Sequence, residues 1–304
     1  MSEYLPELFT TQFSANIELL LQQRGSKFRG KVREGMHVGK MASPINQVGA
    51  IQMKQPAGRF APKQQTNAEF VRRWCFPQDG DIDQLVDSFD ELRTIVDPKS
   101  MYVENAANAI GRGYDDSIIL AFTGSAQLGT DNNSLTTETF STTNFQIAST
   151  FGSSSASGLT VAKIIEAKRI LTHYHNDLDA DPPYIAIGSQ QESDLLNQVE
   201  VVSTEFNDRP VLVNGRVKQF LGFEIVMTER LATAANVRTI PVWVKSGMYL
   251  GLWQDMTHRV SIRNDLSSEP YDLYSKTTFG PTRLQPGKVV SILCSDTSGT
   301  DINP

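Results

Sequence analysis

The residues best placed to do chemistry are five aspartates, Asp79, Asp81, Asp83, Asp87 and Asp90. Alternating carboxylates are what a calcium loop uses, but such a loop also needs a glycine at its sharp turn and a closing bidentate glutamate. The stretch DGDIDQLVDSFDE has neither at the required place, so it reads as a polar loop passing into a short helix. His173 and His175 stand two residues apart within a helical pattern, which points them in different directions and argues against a shared metal. GMHVGKM is one residue short of a phosphate-binding loop and lacks the hydroxyl residue after Lys40. GRGYDDS lacks the third glycine of a dinucleotide fingerprint, and GSSSASG does not fit a nucleophile elbow. No paired CxxC and no HExxH occurs. The sequence therefore nominates no catalytic, cofactor-binding or metal-ligating residue. The expectation is a structural protein without a cofactor, not an enzyme.

Composition agrees with that direction. The chain has 304 residues, 39% hydrophobic and 20% charged, with a net charge of −6. That supports a sizeable core. An acidic balance argues against a protein that grips nucleic-acid phosphates tightly. No apolar run approaches the length of a membrane span. MSEYLPELFTTQF lacks the basic-then-apolar order of a secretory signal. The two cysteines, Cys75 and Cys294, are expected as reduced, buried thiols.

If no local motif carries the function, the elements themselves must. The dominant one is 99–123, started by Asp97-Pro98 and stopped by Gly124, whose freedom to turn left-handed costs nothing. Val103, Ala107, Ile110, Tyr114, Ile118 and Phe122 recur on one face, while Glu104, Asn108, Arg112 and Asp115 fall elsewhere on the wheel. Gly111 and Gly113 mark places where another backbone can come close. A second helix is expected over 159–178, with Val161, Ile164, Ile165, Leu171, Tyr174 and Leu178 inward and Lys163, Lys168 and Arg169 outward. Between them, residues 125–157 read as a Ser/Thr-rich surface excursion.

Residues 1–34 read as an arm: a short helix over SANIELLLQQRG, then the basic run KFRGKVR. Residues 35–75 place two strand-like runs around a polar, proline-containing middle. This is a long two-stranded extension that buries no core of its own and needs a partner surface. Further on, 184–187 reads as a buried strand and 190–198 as a short helix. Asn214-Gly215 marks a hairpin. Strands are expected at 240–244, 248–253, 259–263, 272–279 and 288–294. The fold class is α+β, with mostly antiparallel strands.

This order of elements resembles the major capsid proteins of tailed bacteriophages, the Hong Kong 97-like fold. Three stretches carry the likeness. VDPKSMYVENAANAIGRGYDDSIILAFTG is similar to the family's spine helix. LTVAKIIEAKRIL followed by PPYIAIGSQQESDLL is similar to the second helix entering the axial domain. LYSKTTFGPTRLQPGKVVSILCSD is similar to the closing strands. The resemblance implies an N-terminal arm (1–34), an extended loop (35–75), a peripheral domain (76–180) carrying the spine helix 99–123, an axial domain (181–261) and C-terminal strands (262–304) returning to the peripheral domain.

It also implies the function. Identical subunits would form pentamers and hexamers and close an icosahedral shell around double-stranded DNA, which is contacted only non-specifically. Portal, scaffolding or decoration proteins would be further partners, no membrane would be involved, and assembly would occur in the host cytoplasm before the virion forms. An encapsulin-type compartment and a virion tail or decoration component are the alternatives. The arm and extension supply the candidates for contacts between subunits: Phe28, Arg29, Lys54, Arg59, Phe60 and Lys63. Ala107, Ile110, Tyr114, Ile118 and Phe122 are expected as the core face of the long helix.

Overall fold

The computed structural model describes residues 22–40, 42–55, 58–60, 62–63, 65–86, 99–129, 134–198, 212–213, 216–267 and 269–296. The Asp97-Pro98 helix start and most of the arm helix lie outside them.

The described chain begins as an extended segment that enters strand β1 (Arg33–Met36). Strands β2 (Ala42–Val48) and β3 (Phe70–Cys75) follow, then β4 (Gln78–Val86) and the long helix α1 (Lys99–Thr123). Two short strands, β5 (Ala126–Leu128) and β6 (Thr136–Glu138), a helical turn at Thr142–Phe145 and β7 (Gln146–Ile147) lead to α2 (Val161–His173). Then come β8 (Pro183–Ile187), α3 (Ser189–Leu196), β9 (Leu212–Val213), β10 (Arg216–Val217), β11 (Gln219–Phe220), β12 (Phe223–Met227), β13 (Thr233–Ala234) and β14 (Val237–Val244). The chain closes with β15 (Met248–Ile262), β16 (Tyr271–Arg283) and β17 (Val289–Ser295).

These strands form three larger sheets. The first has the order β1-β15-β16-β4, and α1 lies across it. The second runs β11-β12-β8-β14-β17-β7, with β13 on β14. The third, β2-β3-β5-β6, is the root of the extension. At the expected hairpin, β9 and β10 pair antiparallel, while Asn214-Gly215 between them lies outside the described residues. Mixed pairing occurs where chain-distant strands meet, as β1 runs parallel to β15 and β12 parallel to β8.

Several expectations need correction. Residues 78–86 form a strand, not a loop and short helix. Its aspartates alternate outward while Ile82 packs against the core, which an edge strand with one solvated face permits. Residues 248–253 and 259–262 belong to one long strand, which ends one residue short of the expected 263, with register irregularities between Leu252 and Thr257. Helix α2 is shorter than expected. Ile165 is 53% and Tyr174 42% exposed, whereas Lys163 is fully buried. Lys163 is affordable inside because its ammonium donates to three carbonyls, of Ser157 at 2.8 Å, Gly158 at 2.9 Å and Leu293 at 3.2 Å. Burial still pushes its pKa below the ordinary lysine value.

The core gathers around Trp243, which is sealed from solvent. Phe122 from α1 lies 4.7 Å and Tyr184 from β8 lies 5.7 Å from its ring. Ile110, Tyr114, Ile118 and Phe122 are buried on the inner face of α1 as expected. Ala107 is only partly buried, and its neighbour Ala106 takes the inward position. Gly124 does follow the last turn, but its φ is not left-handed. Instead the end is capped from outside. The buried Arg283 guanidinium donates to the carbonyls of Phe122 and Gly124, both at 2.8 Å. A cation at the carbonyl end of a helix satisfies otherwise orphaned acceptors and opposes the helix dipole favourably.

Candidate functional site

The first functional feature is the seat of the arm. Asn108, Gly111, Arg112 and Asp115 follow one another at three- and four-residue spacing on α1, and so form a single stripe. Residues 22–28 lie along it. The Asn108 side chain accepts the Gly25 N–H at 3.0 Å. Arg112 donates to the Gln22 side chain at 2.6 Å and to the Gln23 carbonyl at 3.2 Å. Asp115, with no exposed surface, accepts the Lys27 N–H at 2.9 Å, the Phe28 N–H at 3.3 Å and the Ser26 hydroxyl. A buried carboxylate is tolerable when backbone donors converge on it in this way.

Gly111 makes the crossing possible. A Cβ there would stand 2.6 Å from the Gly25 carbonyl carbon. At Gly113 a Cβ would meet nothing within 4 Å. The expectation of close backbone approach holds for Gly111 and not for Gly113. Asn108 and Asp115, expected off the buried face, are themselves buried. The signal was in the sequence as a polar stripe at helical spacing, but polar periodicity is ordinarily the mark of a solvent face.

The basic run that follows divides its residues by alternate roles. Phe28 is fully buried, with its ring 5.4 Å from Trp243 and 5.9 Å from Phe122. This corrects its assignment as an exposed contact residue: four flanking cations conceal a core anchor, and Val32 is a second one. Arg29 is engaged inside the subunit, bidentate to Asp255 at 2.9 and 2.7 Å and close to Glu34. The pair perturbs both partners. Arg29 is raised above its ordinary pKa, first by its hydrogen bond to Asp255, and Asp255 is held below the usual carboxylate range. Lys31 pairs with Glu224, and its carbonyl accepts the Trp243 indole N–H at 3.0 Å. The arm is thus fastened to its own core before the chain enters β1.

The second feature is the extension. Its root is held: β2 pairs β3 from Val48↔Phe70 down to Ala42↔Cys75, and β3 pairs β5. The Gln47 side chain donates to the Leu284 carbonyl at 3.2 Å, and Arg73 pairs with Glu138. Between Val48 and Ala68 the described residues are exposed. Phe60 is 97% and Met53 90% exposed. Lys54 reaches only the Gln65 carbonyl, at 3.4 Å, and the Arg59 guanidinium lies 5.9 Å from the Phe60 ring centre. Lys63 is exposed. Among the described residues none of Lys54, Arg59 or Lys63 is in an ion pair. Phe60 also has a left-handed φ of 71°, which a bulky residue rarely adopts.

Among the described residues no group of histidine, cysteine or carboxylate side chains is placed to hold a metal ion. No described helix is long and apolar enough to cross a membrane. The two cysteines are buried and not joined in a disulfide. What the arrangement can do is mechanical: a rigid core, a locked arm and an unpartnered projection.

Comparison with known proteins bears on this arrangement. The sequence matches the family described as phage capsid protein over residues 5–296. No curated protein sequence matches it. Among solved structures, the fold is similar to the capsid of cyanophage P-SCSP1u, with a TM-score of 0.74 at 13% identity, covering 96% of this chain and 94% of that one. The capsid of cyanophage Pam1 aligns with a TM-score of 0.72 at 12% identity, covering 98% and 100%. That of Ralstonia phage GP4 aligns at 0.69 and 9% identity, covering 100% and 99%.

Proposed function

Because this chain belongs to the phage capsid protein family, and is therefore a structural subunit of a bacteriophage shell, we propose that its copies gather as pentamers and hexamers and close an icosahedral head around double-stranded DNA. The observation that carries this is the contrast between the arm and the extension. Of the described arm residues, Phe28 is buried in the subunit's own core, and Arg29 and Lys31 are paired within the subunit. The extension's Phe60, Met53, Lys54, Arg59 and Lys63 are turned to solvent and, among the described residues, meet no partner beyond the extension. Exposed apolar surface of that kind marks a surface used by another molecule, and in a homo-oligomer the molecule at hand is another copy.

The domain division follows from the same proposal. Residues 1–34 serve as the arm, 35–75 as the extended loop, 76–180 as the peripheral domain, 181–261 as the axial domain, and 262–304 as the strands that return to the peripheral domain. Supporting it, α1 lies on the sheet that contains β4 and β16. The acidic balance of −6 suits a wall that confines DNA without binding it site by site. Portal, scaffolding or decoration proteins are the expected partners, assembly is expected in the host cytoplasm, and no catalytic step is required of the chain.

Electron microscopy of the purified protein tests the proposal. Closed spheres with fivefold and sixfold clusters are expected. Rings or tubes would indicate a tail component, and shells filled with protein cargo and no nucleic acid would indicate an encapsulin-type compartment. A protein that stays a globular monomer at high concentration in every salt tested would refute a shell role.

A further inference from the structure

A net charge of −6 makes a local gathering of cations an exception on this molecule. One such place is a cleft of about 590 Å³ where the arm meets the β11–β12 hairpin. Three lysines line it, Lys27, Lys31 and Lys218, against a single carboxylate residue, Glu224. Lys31 is paired with Glu224, and its ammonium lies 5.1 Å from the Tyr184 ring centre. Lys27 and Lys218 are exposed and, among the described residues, are in no ion pair. The cleft therefore keeps two cations without a counter-ion.

The walls are fixed without those two side chains. Lys27 is held through its backbone N–H by Asp115, which leaves its ammonium free. The hairpin turn is made by Leu221 and Gly222, with left-handed φ of 51° and 90°. Glycine adopts such a φ freely and leucine does not. The Lys168 ammonium donates to the Leu221 carbonyl at 3.0 Å and so braces the turn. Leu221 also lines a neighbouring groove with Lys168, Arg169 and His173, where Arg169 is taken by Glu166. Cations thus flank the turn on two sides. Like charges held together without partners repel, and an anion placed among them relieves the repulsion. Lysine binds phosphate as a point charge, with no need of a planar, two-pronged partner. Pro182, Ile225 and Met227 line the same cleft, so it offers apolar contact beside its charge. That suits a phosphate carried on an organic group better than a bare hydrated ion.

We propose that this cleft is a phosphate site, in which Lys27 and Lys218, with Lys31 beside them, hold a phosphate group of a nucleotide chain. This deepens the shell assignment and rests on it for the source of the ligand, the enclosed DNA. It also turns this face of the subunit toward the interior of the shell. Contacts to phosphate position nucleic acid and carry no base information. One weak contact of this kind per copy agrees with a wall that confines DNA of any sequence.

Lysine acetylation read by mass spectrometry tests it. Full-length, unassembled protein is treated alone, with inorganic phosphate, or with a short DNA duplex. With the duplex, Lys27 and Lys218 are expected to lose most of their reactivity. Lys40, Lys245 and Lys276, which are exposed and do not line the cleft, are expected to keep theirs. Equal protection by inorganic phosphate would overturn the nucleotide chain as the source and leave a phosphate site. Protection of all exposed lysines alike would show general screening and overturn the site, as would no protection of Lys27 and Lys218. Neutralisation gives a second readout. K27Q/K218Q, its folding checked by circular dichroism, is expected to lower the slope of log affinity for the duplex against log salt by about 2, since each neutralised phosphate contributes about 0.9. K27R/K218R is expected to keep the parent slope. An unchanged slope in K27Q/K218Q, with particles forming normally, overturns the cleft and leaves the shell assignment standing. Protection of Lys27 and Lys218 in a protein that never forms particles would overturn the shell assignment and leave the cleft.

Discussion

The Asp115 carboxylate, shut off from solvent on the long helix, accepts the Lys27 backbone N–H at 2.9 Å across 88 residues of chain. Together with the Asn108 contact to the Gly25 N–H and the Arg112 contact to the Gln23 carbonyl, it sets where the arm lies, because these contacts fix backbone and not a mobile side-chain tip. Replacing Asp115 by Ala would leave the Lys27 and Phe28 N–H groups and the Ser26 hydroxyl without their acceptor. Hydrogen bonds to a charged group contribute about 1.5–3 kcal/mol each, and stranded donors cost more than the bond itself. A loss of at least about 2 kcal/mol is expected in chemical denaturation, together with faster proteolysis between residues 22 and 31. An unchanged midpoint would show that the arm is held by its other anchors, Phe28, Asn108, Arg112 and Arg29 among them.

Gly111 and Gly113 form a matched pair on the same helix. Ala at 111 would place its Cβ 2.6 Å from the Gly25 backbone, so the arm must move. Overpacking of that kind costs about 1–3 kcal/mol. Ala at 113 enters open space, and the gain in helix propensity is about 0.5–1 kcal/mol. Thermal melts of the two variants are therefore expected to move in opposite directions. Movement in the same direction would contradict the close crossing at Gly111.

Cys294 gives a pH signature. Burial pushes its thiol from 9.0 up to about 12. The unfolded thiol ionises at lower pH than the folded one. The stabilisation linked to this group is therefore complete below about 9 and is lost as pH rises toward about 12. Native protein is expected to leave Cys294 unreacted with a thiol reagent at mildly alkaline pH, and denatured protein to expose it. Rapid labelling of Cys294 in the native state would show that the β14–β17 region opens.

The extension separates folding from assembly. Replacing residues 56–65 by a short Gly-Ser linker removes Arg59, Phe60 and Lys63, whose described contacts lie within the extension itself. The melting temperature is expected to stay close to that of the parent, since substitutions at exposed sites usually change stability by no more than about 0.5 kcal/mol. Closed particles are expected to be lost or to break at lower ionic stress. Normal particles from this variant would show the extension to be idle, and a failure to fold would place it in the core.

What the sequence determined by itself was the set of elements that repeat an apolar period. Ile110, Tyr114, Ile118 and Phe122 declared the inner face of the long helix, because an apolar residue every three or four positions has one way to leave water at once. The Asn-Gly hairpin, the buried strand at 184–187 and the unpartnered extension were legible for similar local reasons. The order of these elements was enough to resemble the capsid family that the whole-chain match then showed.

Tertiary structure alone decided which polar residues go inside. Asn108, Asp115, Lys163 and Arg283 are buried because backbone groups distant in sequence converge on them: the arm for the first two, the Leu293 carbonyl for Lys163, and the end of α1 for Arg283. A single-residue pattern counts each of these side chains as outward, since the energy that makes burial affordable belongs to a partner it does not contain. The same blindness hid Phe28 among its cations and read β4 as a loop. Whether Asp79, Asp81 and Asp83 line a strand depends on the ladder that β16 offers them from 190 or more residues away in the chain, and no local spacing reports a ladder that only folding brings alongside.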